Sequence, residues 1–389
     1  MIHQAVIIGS GFAGSILARE LSEAGLRVLV VDKRDHIAGN MYDELDETGI
    51  LIQRYGPHSF HTNDKEVYDY ICKYAEFRPN RLTYRAVVNG IEVPCPFNFT
   101  SIEMLYPADE AADLINRLQQ AFPGQQQVAI FELLESKDEK IHSYAKMLFE
   151  EDFRPYTAKQ WGRKPEEVDP SVIRRVPILL NRRDSYFDDQ YEVHPVGGYT
   201  KLFERMLDHA AITVELNIDA LEHLRLDEEK GRAVWKGDEN IPVFYTGPID
   251  ELFDCCFGKL PYRSLHFEWK TKNVDSYQET AIVAWPKDKE YTRITEFSKL
   301  PVQETRGKTV IALEYPLPYD KSADRGNEPY YPISNLETAE LRSRYQKLAS
   351  HFDNLVLCGR LADYKYYNME DVVRRTLDVV KTWVRGNWQ

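Results

Sequence analysis

The first thirty residues leave little freedom of fold. Ala5-Val6-Ile7-Ile8 is a run suited to a fully buried strand, and Gly9-Ser10-Gly11-Phe12-Ala13-Gly14 follows it without a spacer. Ile16, Leu17 and Leu21 then recur at helical spacing, and Gly25 ends that helix. Val28-Leu29-Val30-Val31 makes a second strand, closed by Asp32. This is the strand–turn–helix–strand unit that binds dinucleotides, in the context it requires. Gly9 makes the turn, Gly11 lets the backbone approach a pyrophosphate, and Gly14 lets the helix pack on the strand. Phe12 and Ala13 start the helix whose N-terminus faces the phosphates. Asp32 is placed to accept bonds from a ribose hydroxyl. The expected ligand carries an ADP moiety.

A length of 389 residues suits two or three interleaved domains, and 43% hydrophobic with 29% charged residues is ordinary for a globular chain. Forty-nine lysines and arginines against 62 acids give a formal charge of −13, which argues against a nucleic-acid partner. An anionic small molecule stays compatible, because a few arginines in one cleft outweigh a distant negative surface. Met1-Ile2-His3 runs directly into the first strand, so no signal peptide is expected, and no stretch approaches a membrane span. Cys72, Cys95, Cys255, Cys256 and Cys358 are odd in number and lack metal-site spacing. Reduced thiols, a cytoplasmic location and no metal are the expectations. Many of the 24 tyrosines sit in short polar clusters, which hints at a ligand cleft rich in hydroxyls.

Further along, Asn63 is placed to cap a helix with Glu66 three residues on. Residues 81–94 read as a hairpin around Asn89-Gly90. Residues 101–161 read as mainly helical, with one helix over 110–122 and another over 138–151 that Pro155 breaks. A polar, proline-flanked stretch at 162–170 suggests an exposed and mobile loop. Runs of β-branched and aromatic residues in 171–194 and 262–333 predict a mostly antiparallel sheet. Thr213-Val214-Glu215-Leu216 and a buried Leu355-Val356-Leu357-Cys358 predict returns to the nucleotide domain, and Val373, Leu377 and Val380 mark a closing helix.

After Asp32, Lys33-Arg34-Asp35-His36-Ile37-Ala38-Gly39-Asn40 forms a second glycine-containing loop with basic residues. It is similar to the stretch that passes under the cofactor in flavoproteins of the glutathione-reductase and amine-oxidase kind. That likeness favours FAD over NAD and involves Lys33, Gly39 and Asn40 in binding it. Arg34 is placed to pair with phosphate or stack on adenine.

Several segments together resemble the bacterial UDP-galactopyranose mutases. They are the N-terminal fingerprint, Arg54-Tyr55-Gly56-Pro57-His58-Ser59-Phe60-His61-Thr62, and Tyr156-Thr157-Ala158-Lys159-Gln160-Trp161-Gly162. Tyr245-Thr246-Gly247-Pro248-Ile249-Asp250, Tyr291-Thr292-Arg293-Ile294-Thr295-Glu296, Pro329-Tyr330-Tyr331-Pro332-Ile333, and Gly359-Arg360-Leu361 through Tyr366 follow in the family's order.

The resemblance implies an α/β fold in which a discontinuous Rossmann-like FAD domain carries an inserted helical domain and a twisted antiparallel β-sheet domain. The FAD domain would take 1–80, 195–250 and 350–389, the helical domain 98–170 with its mobile loop, and the substrate sheet 81–97, 171–194 and 251–349. The implied reaction interconverts UDP-galactopyranose and UDP-galactofuranose. It is redox-neutral, yet it needs reduced FAD, whose N5 attacks the anomeric carbon to give a covalent flavin N5–sugar intermediate while UDP departs. A reductant such as NAD(P)H and a homodimer belong to the same picture. The rival is an amine-oxidase-like FAD oxidoreductase, which would need an apolar substrate tunnel.

Residue by residue, Arg175 and Arg293 match the family's two diphosphate arginines, with Arg174 as the alternative to Arg175. Tyr330 and Tyr366 match phosphate-bonding tyrosines, and Tyr186 another substrate tyrosine. Phe153 and Tyr156 match residues that hold the uracil. Thr157 lies in the same motif, and Trp161 starts the mobile loop. Asn80 matches a substrate-domain asparagine. Arg360 should reach the flavin, where a cation favours the anionic reduced ring. His61, with His58 beside it, lies in the segment that resembles the flavin-contacting histidines. It either tunes N5 protonation or bonds the backbone. Gly197-Gly198 and Gly247-Pro248 look like close backbone approaches to the cofactor. Asn368 departs from the aspartate that many members carry there, which puts an acid or base role at that position in doubt.

Overall fold

The computed structural model describes residues 3–162, 176–287 and 289–387. One sheet has five parallel strands in the order Ile212–Glu215, Val28–Val31, Ala5–Ile8, Val243–Tyr245, Leu355–Leu357. Ala5 pairs with Val28 and Ile8 with Val31, while Val6 pairs with Val243 on the other side. Side chains leave a strand alternately on its two faces, and here both faces are covered. Ile7, Val28 and Val30 pack with Leu17, Leu21 and Val380 of the helices Phe12–Glu23 and Met369–Asn387. Val6, Leu29, Val31 and Val243 pack the other way, against Trp235 of the strand Arg232–Trp235 and Tyr345 of the helix Leu336–Ala349. Burial on two sides explains why the central strands show no polar alternation. Leu355–Leu357 is only half-buried, against expectation, because it is the sheet's edge.

A second sheet has seven strands in the order Tyr331–Pro332, Tyr262–Lys272, Thr309–Pro318, Arg293–Glu296, Ile282–Ala284, Tyr84–Val88, Ile91–Pro94. Its pairings are antiparallel except that Ile282–Ala284 runs parallel to Tyr84–Val88. The hairpin at Asn89-Gly90 forms, with φ of 50° and 78°, as a two-residue turn with two left-handed residues requires. The strands within 171–194 go elsewhere. Ile178–Leu179 pairs with Gln127–Val128, and Tyr191–Pro195 lies between Phe60–Thr62 and Phe77–Pro79 in a three-stranded sheet. A β-branched, aromatic run marks a strand but does not name its partner.

The helices Ala108–Ala121 and Glu139–Leu148 place Leu114, Leu118, Ile141, Ala145 and Leu148 in one core with Val88, Val93 and Phe97 of the hairpin side. Pro155 does not break the chain's helical course. A π turn over Phe149–Phe153 widens the helix, the N–H of Arg154 reaches back to the Phe149 carbonyl, and the helix resumes as Arg154–Trp161. Pro155 then falls in the first turn of that segment, where its missing N–H costs little. The cap of Lys65–Ile71 also shifts by one residue. Asp64 accepts from the N–H groups of Glu66 and Val67, while Asn63 bonds Asp189 and Gln190. Gly162 ends Arg154–Trp161 at φ 63°. The rest of the 162–170 loop lies outside the described residues. Among the described residues no helix is long and apolar enough to cross a membrane.

Candidate active site

The carboxyl ends of the parallel strands lead into Gly9, Asp32, Thr246-Gly247 and Gly359-Arg360, and all of these line one cleft. Open parallel sheets bind ligands at this edge. Gly9 has φ 101°, and a Cβ there would overlap Thr246 Oγ1. A Cβ on Gly14 would overlap the Gly9 carbonyl oxygen. Gly11 differs, since the nearest atoms to its Cβ would be 3.9 Å away. It caps the helix Phe12–Glu23, and among the described residues no side chain caps the first N–H groups. That open cradle suits a phosphate. Asp32 accepts from the Ser10 N–H at 2.8 Å and hydroxyl at 2.6 Å, and from the Arg34 N–H at 3.0 Å. Its remaining lone pairs are those a ribose hydroxyl would meet.

Arg34 lies across the Tyr55 ring at 4.2 Å, and its Nη2 donates to Asn40 Oδ1 and Glu328 Oε2, both at 2.7 Å. Burial opposes its charge, but Glu328 holds the guanidinium above its ordinary pKa. Its Nη1 is buried with no partner among the described residues. A buried donor without an acceptor calls for one on a ligand. Lys33, Gly39 and Asn40 line the same cleft. The donor set fits a phosphorylated dinucleotide.

A second cleft of about 530 Å³ adjoins the first, and His58, Arg360, Tyr367 and Asn368 line both. Beside the shared Arg360 it carries Arg293, paired in register with Glu314. Arg293 Nε and Nη2 reach Glu314 Oε2 at 2.8 and 2.7 Å, and the Glu314 side chain is 1% exposed. Burial opposes the charge on Arg293, but the Glu314 carboxylate holds its pKa well above the ordinary value. This is a permanently charged guanidinium pinned from behind. Tyr331 stacks on Tyr366 with centroids 5.5 Å apart, Arg360 lies 5.2 Å from the Tyr331 ring, and Trp161 lies 6.3 and 6.1 Å from the two tyrosines.

Farther from the junction, Tyr84 Oη is 3.4 Å from Tyr156 Oη, the Tyr84 and Tyr186 rings are 5.0 Å apart, and Phe153 lies 6.0 Å from Phe97. At the junction, burial and then nearby Arg360 push the His58 imidazole down to about 3, so it is neutral at ordinary pH. Gln53 fixes its backbone by accepting from its N–H and donating to its carbonyl. A fixed cation, stacked tyrosines and an aromatic far end can accommodate a nucleoside diphosphate.

Comparison with known proteins agrees with this geometry. A UDP-galactopyranose mutase family profile matches residues 151–366, and an NAD(P)-binding Rossmann-like domain profile matches residues 7–74. The UDP-galactopyranose mutase of Mycoplasma pneumoniae is 36% identical, over 96% of this chain and 94% of that protein. This chain belongs to the UDP-galactopyranose mutase family. It is therefore an enzyme. The dTDP-fucopyranose mutase of Escherichia coli is 32% identical over 99% of this chain and 100% of its own length. A crystal structure of reduced UDP-galactopyranose mutase shares the fold, with a TM-score of 0.73 over 100% of this chain and 95% of that chain at 16% identity.

Of the residues matched to the UDP-galactopyranose mutase family, Phe153, Tyr156, Thr157, Trp161, Tyr186, Arg293, Tyr366 and Asn368 come together in the second cleft. Arg175, like Arg174, lies outside the described residues. Asn80 sits one layer back, with Nδ2 3.5 Å from the hydroxyl of Ser59, which does line the cleft. Tyr331 rather than Tyr330 lines the cleft, since adjacent residues of an extended chain point to opposite sides. Tyr330 packs on Tyr55 and Phe267. His61 lines the second cleft and not the first. Its Nδ1 is 2.7 Å from Asp189 Oδ2, and its ring stacks on Phe187. Gly197-Gly198 lines neither cleft. A Cβ at Gly198 would come within 2.6 Å of Asp43 Oδ2, whose carboxylate accepts from the N–H groups of Tyr199 and Thr200.

Glu314, Tyr331, Tyr84 and Asp152 were not singled out from sequence. The signal for Glu314 was present: a carboxylate after Ile311-Ala312-Leu313 in a buried strand needs a cation.

Glu192 stands opposite His61 in the strand ladder, and its Oε2 is buried with no partner among the described residues. Burial pushes its carboxyl up to about 7, against an ordinary value of about 4.3. Stability tied to that proton is present below the unfolded value and lost as pH rises through 7. Glu192→Gln is expected to melt higher than the parent at pH 8, with the difference growing between pH 5 and 7.5 and then levelling. Thermal unfolding at several pH values checks this, and a difference independent of pH would contradict it.

Proposed function

We propose that this chain interconverts UDP-galactopyranose and UDP-galactofuranose, with FAD held in the first cleft. The observation that carries the reading is the junction at His58, Arg360 and Asn368, which line both clefts. A dinucleotide held in the first cleft would adjoin, through these residues, a nucleotide sugar whose diphosphate Arg293 anchors. Bound and reduced, FAD supplies an electron-rich N5 able to act as a nucleophile at an anomeric carbon without net oxidation. The protein does the rest. Arg293, gripped by Glu314, stabilises the diphosphate as it departs and holds it for return. Tyr331 and Tyr366 offer hydroxyls to its oxygens, and Phe153 and Tyr156 flank the heterocycle. Arg360 adds fixed positive charge at the junction, where neutral His58 is placed to hydrogen-bond. Arg175 joins Arg293 as the second diphosphate cation on the strength of the family motif. In this reading 1–80, 195–250 and 350–389 serve the cofactor and the remaining segments serve the substrate. NAD(P)H-type reduction, a homodimer and a cytoplasmic location belong to the same proposal.

The test is anaerobic. The purified protein is reduced with dithionite, given UDP-galactofuranose, and the nucleotide sugars are separated by chromatography beside an oxidised control. Conversion in the reduced sample alone, without flavin reoxidation, is the expected result. No conversion despite bound FAD would remove this substrate assignment.

A second reading, a dTDP-linked sugar, is favoured by the full-length likeness to the Escherichia coli dTDP-fucopyranose mutase. The same assay with dTDP-fucopyranose decides between them.

A further inference from the structure

The helix Glu139–Leu148 buries Ile141, Tyr144, Ala145 and Leu148. Continued by one more helical step, that stripe reaches position 152, where its periodicity calls for another apolar side chain. The residue is Asp152, 8% exposed, carried by the π turn Phe149–Phe153 and lining the second cleft. Extra-wide turns of this kind are frequent at functional sites. Its acidic neighbours are paired elsewhere, Glu150 with Arg154 and Glu151 with Lys287. Asp152 has no such partner among the described residues. A buried carboxyl without a partner is costly to the fold, and this one opens onto a ligand cleft. It also lies away from the junction, since Asp152, Cys95, Phe153 and Tyr156 line the second cleft only.

We propose that Asp152 recognises the heterocycle of the substrate nucleotide, its carboxyl pairing with the imide edge of a uracil or thymine ring. The inference rests on the nucleotide-sugar reading of the second cleft. Burial pushes the Asp152 carboxyl up to about 7, with no neighbouring cation to counter it. The titratable groups around it are Cys95 beyond the hairpin, Tyr84 and Tyr186, Tyr156 on its own helix, and Arg293 farther off. A neutral carboxyl presents an O–H donor beside a C=O acceptor, and the imide presents N3–H beside a carbonyl oxygen. Two antiparallel hydrogen bonds satisfy both. Once ionised, the carboxylate only accepts and sets one oxygen against the base carbonyl, so binding weakens as pH rises.

The experiment titrates UDP and its N3-methyluridine analogue into the FAD-loaded protein between pH 6.5 and 8.5. N3-methylation is expected to weaken binding to the parent at least tenfold at pH 6.5. Asp152→Asn keeps one donor and one acceptor. It should hold the parent's low-pH affinity and lack the parent's decline toward pH 8.5. Asp152→Ala should bind UDP at least tenfold more weakly and cease to distinguish the methylated analogue. Equal binding of the two ligands by the parent, or matching pH profiles for parent and Asp152→Asn, overturns the proposal and leaves the nucleotide-sugar reading intact. Failure of the parent to bind either UDP or dTDP overturns both.

Discussion

Arg293→Ala is expected to lose about 2–5 kcal/mol of substrate or transition-state binding, the usual range for truncating a buried charge contact. That corresponds to a fall in kcat/KM of roughly 30- to 5,000-fold. The size follows from the surroundings of the guanidinium. It is held by two nitrogens against a carboxylate that is 1% exposed, so its charge is fixed before any ligand arrives. Removing it deprives the diphosphate of one of its cations and also leaves Glu314 as an unpaired buried anion in the cleft wall, which repels what the site must bind. Arg293→Lys should recover little, because a point charge cannot reproduce the two-nitrogen grip. FAD content should be unchanged, since Arg293 does not line the dinucleotide cleft. Turnover and UDP affinity measured at equal FAD occupancy check this, and activity within threefold of the parent would remove Arg293 from the diphosphate site.

The second large effect is expected at Gly14. A Cβ there would overlap a backbone oxygen, that of Gly9, which no side-chain rotation relieves. Gly14→Ala should therefore displace the helix Phe12–Glu23 from the strand Ala5–Ile8. The cost is at least the 1–3 kcal/mol typical of overpacking, and FAD retention should be lost with it. Gly11→Ala provides the contrast. Its Cβ meets nothing within 3.9 Å, so the apoprotein should melt as the parent does, while the methyl group intrudes where a phosphate would lie. Flavin absorbance relative to protein, read beside thermal unfolding of the stripped protein, separates the two outcomes. Parent-like retention of FAD by either variant, or a parent-like melt of stripped Gly14→Ala, would contradict the roles assigned to these glycines.

The parts legible in the sequence are local. The strand–turn–helix–strand unit could be read because each residue's role there depends on neighbours within thirty positions, and Asn89-Gly90 fixed its hairpin for the same reason. Arg293 was legible through its motif. Its grip by Glu314 was not, because the partner is twenty-one residues away on another strand and only the register brings the two together. The choice between Tyr330 and Tyr331 is of the same kind. Two adjacent tyrosines point to opposite sides, and composition does not say which side is the cleft. Asn80, Gly197 and Gly198 show the converse. Their local signals were real, but packing sets them against Ser59, Lys201 and Asp43, and they themselves line neither cleft.

By itself, then, the sequence determined that a dinucleotide cleft forms at the first βα turn, which family the chain joins, and that arginines and tyrosines supply the second cleft. Those conclusions rest on short-range stereochemistry and on motifs. Only the tertiary structure decided which side chains meet across strands, that Pro155 is absorbed by a wide turn, and that a carboxyl at 152 is buried in the cleft wall. Burial and register depend on segments far apart in the chain, and they set both the charge a group carries and the partner it finds.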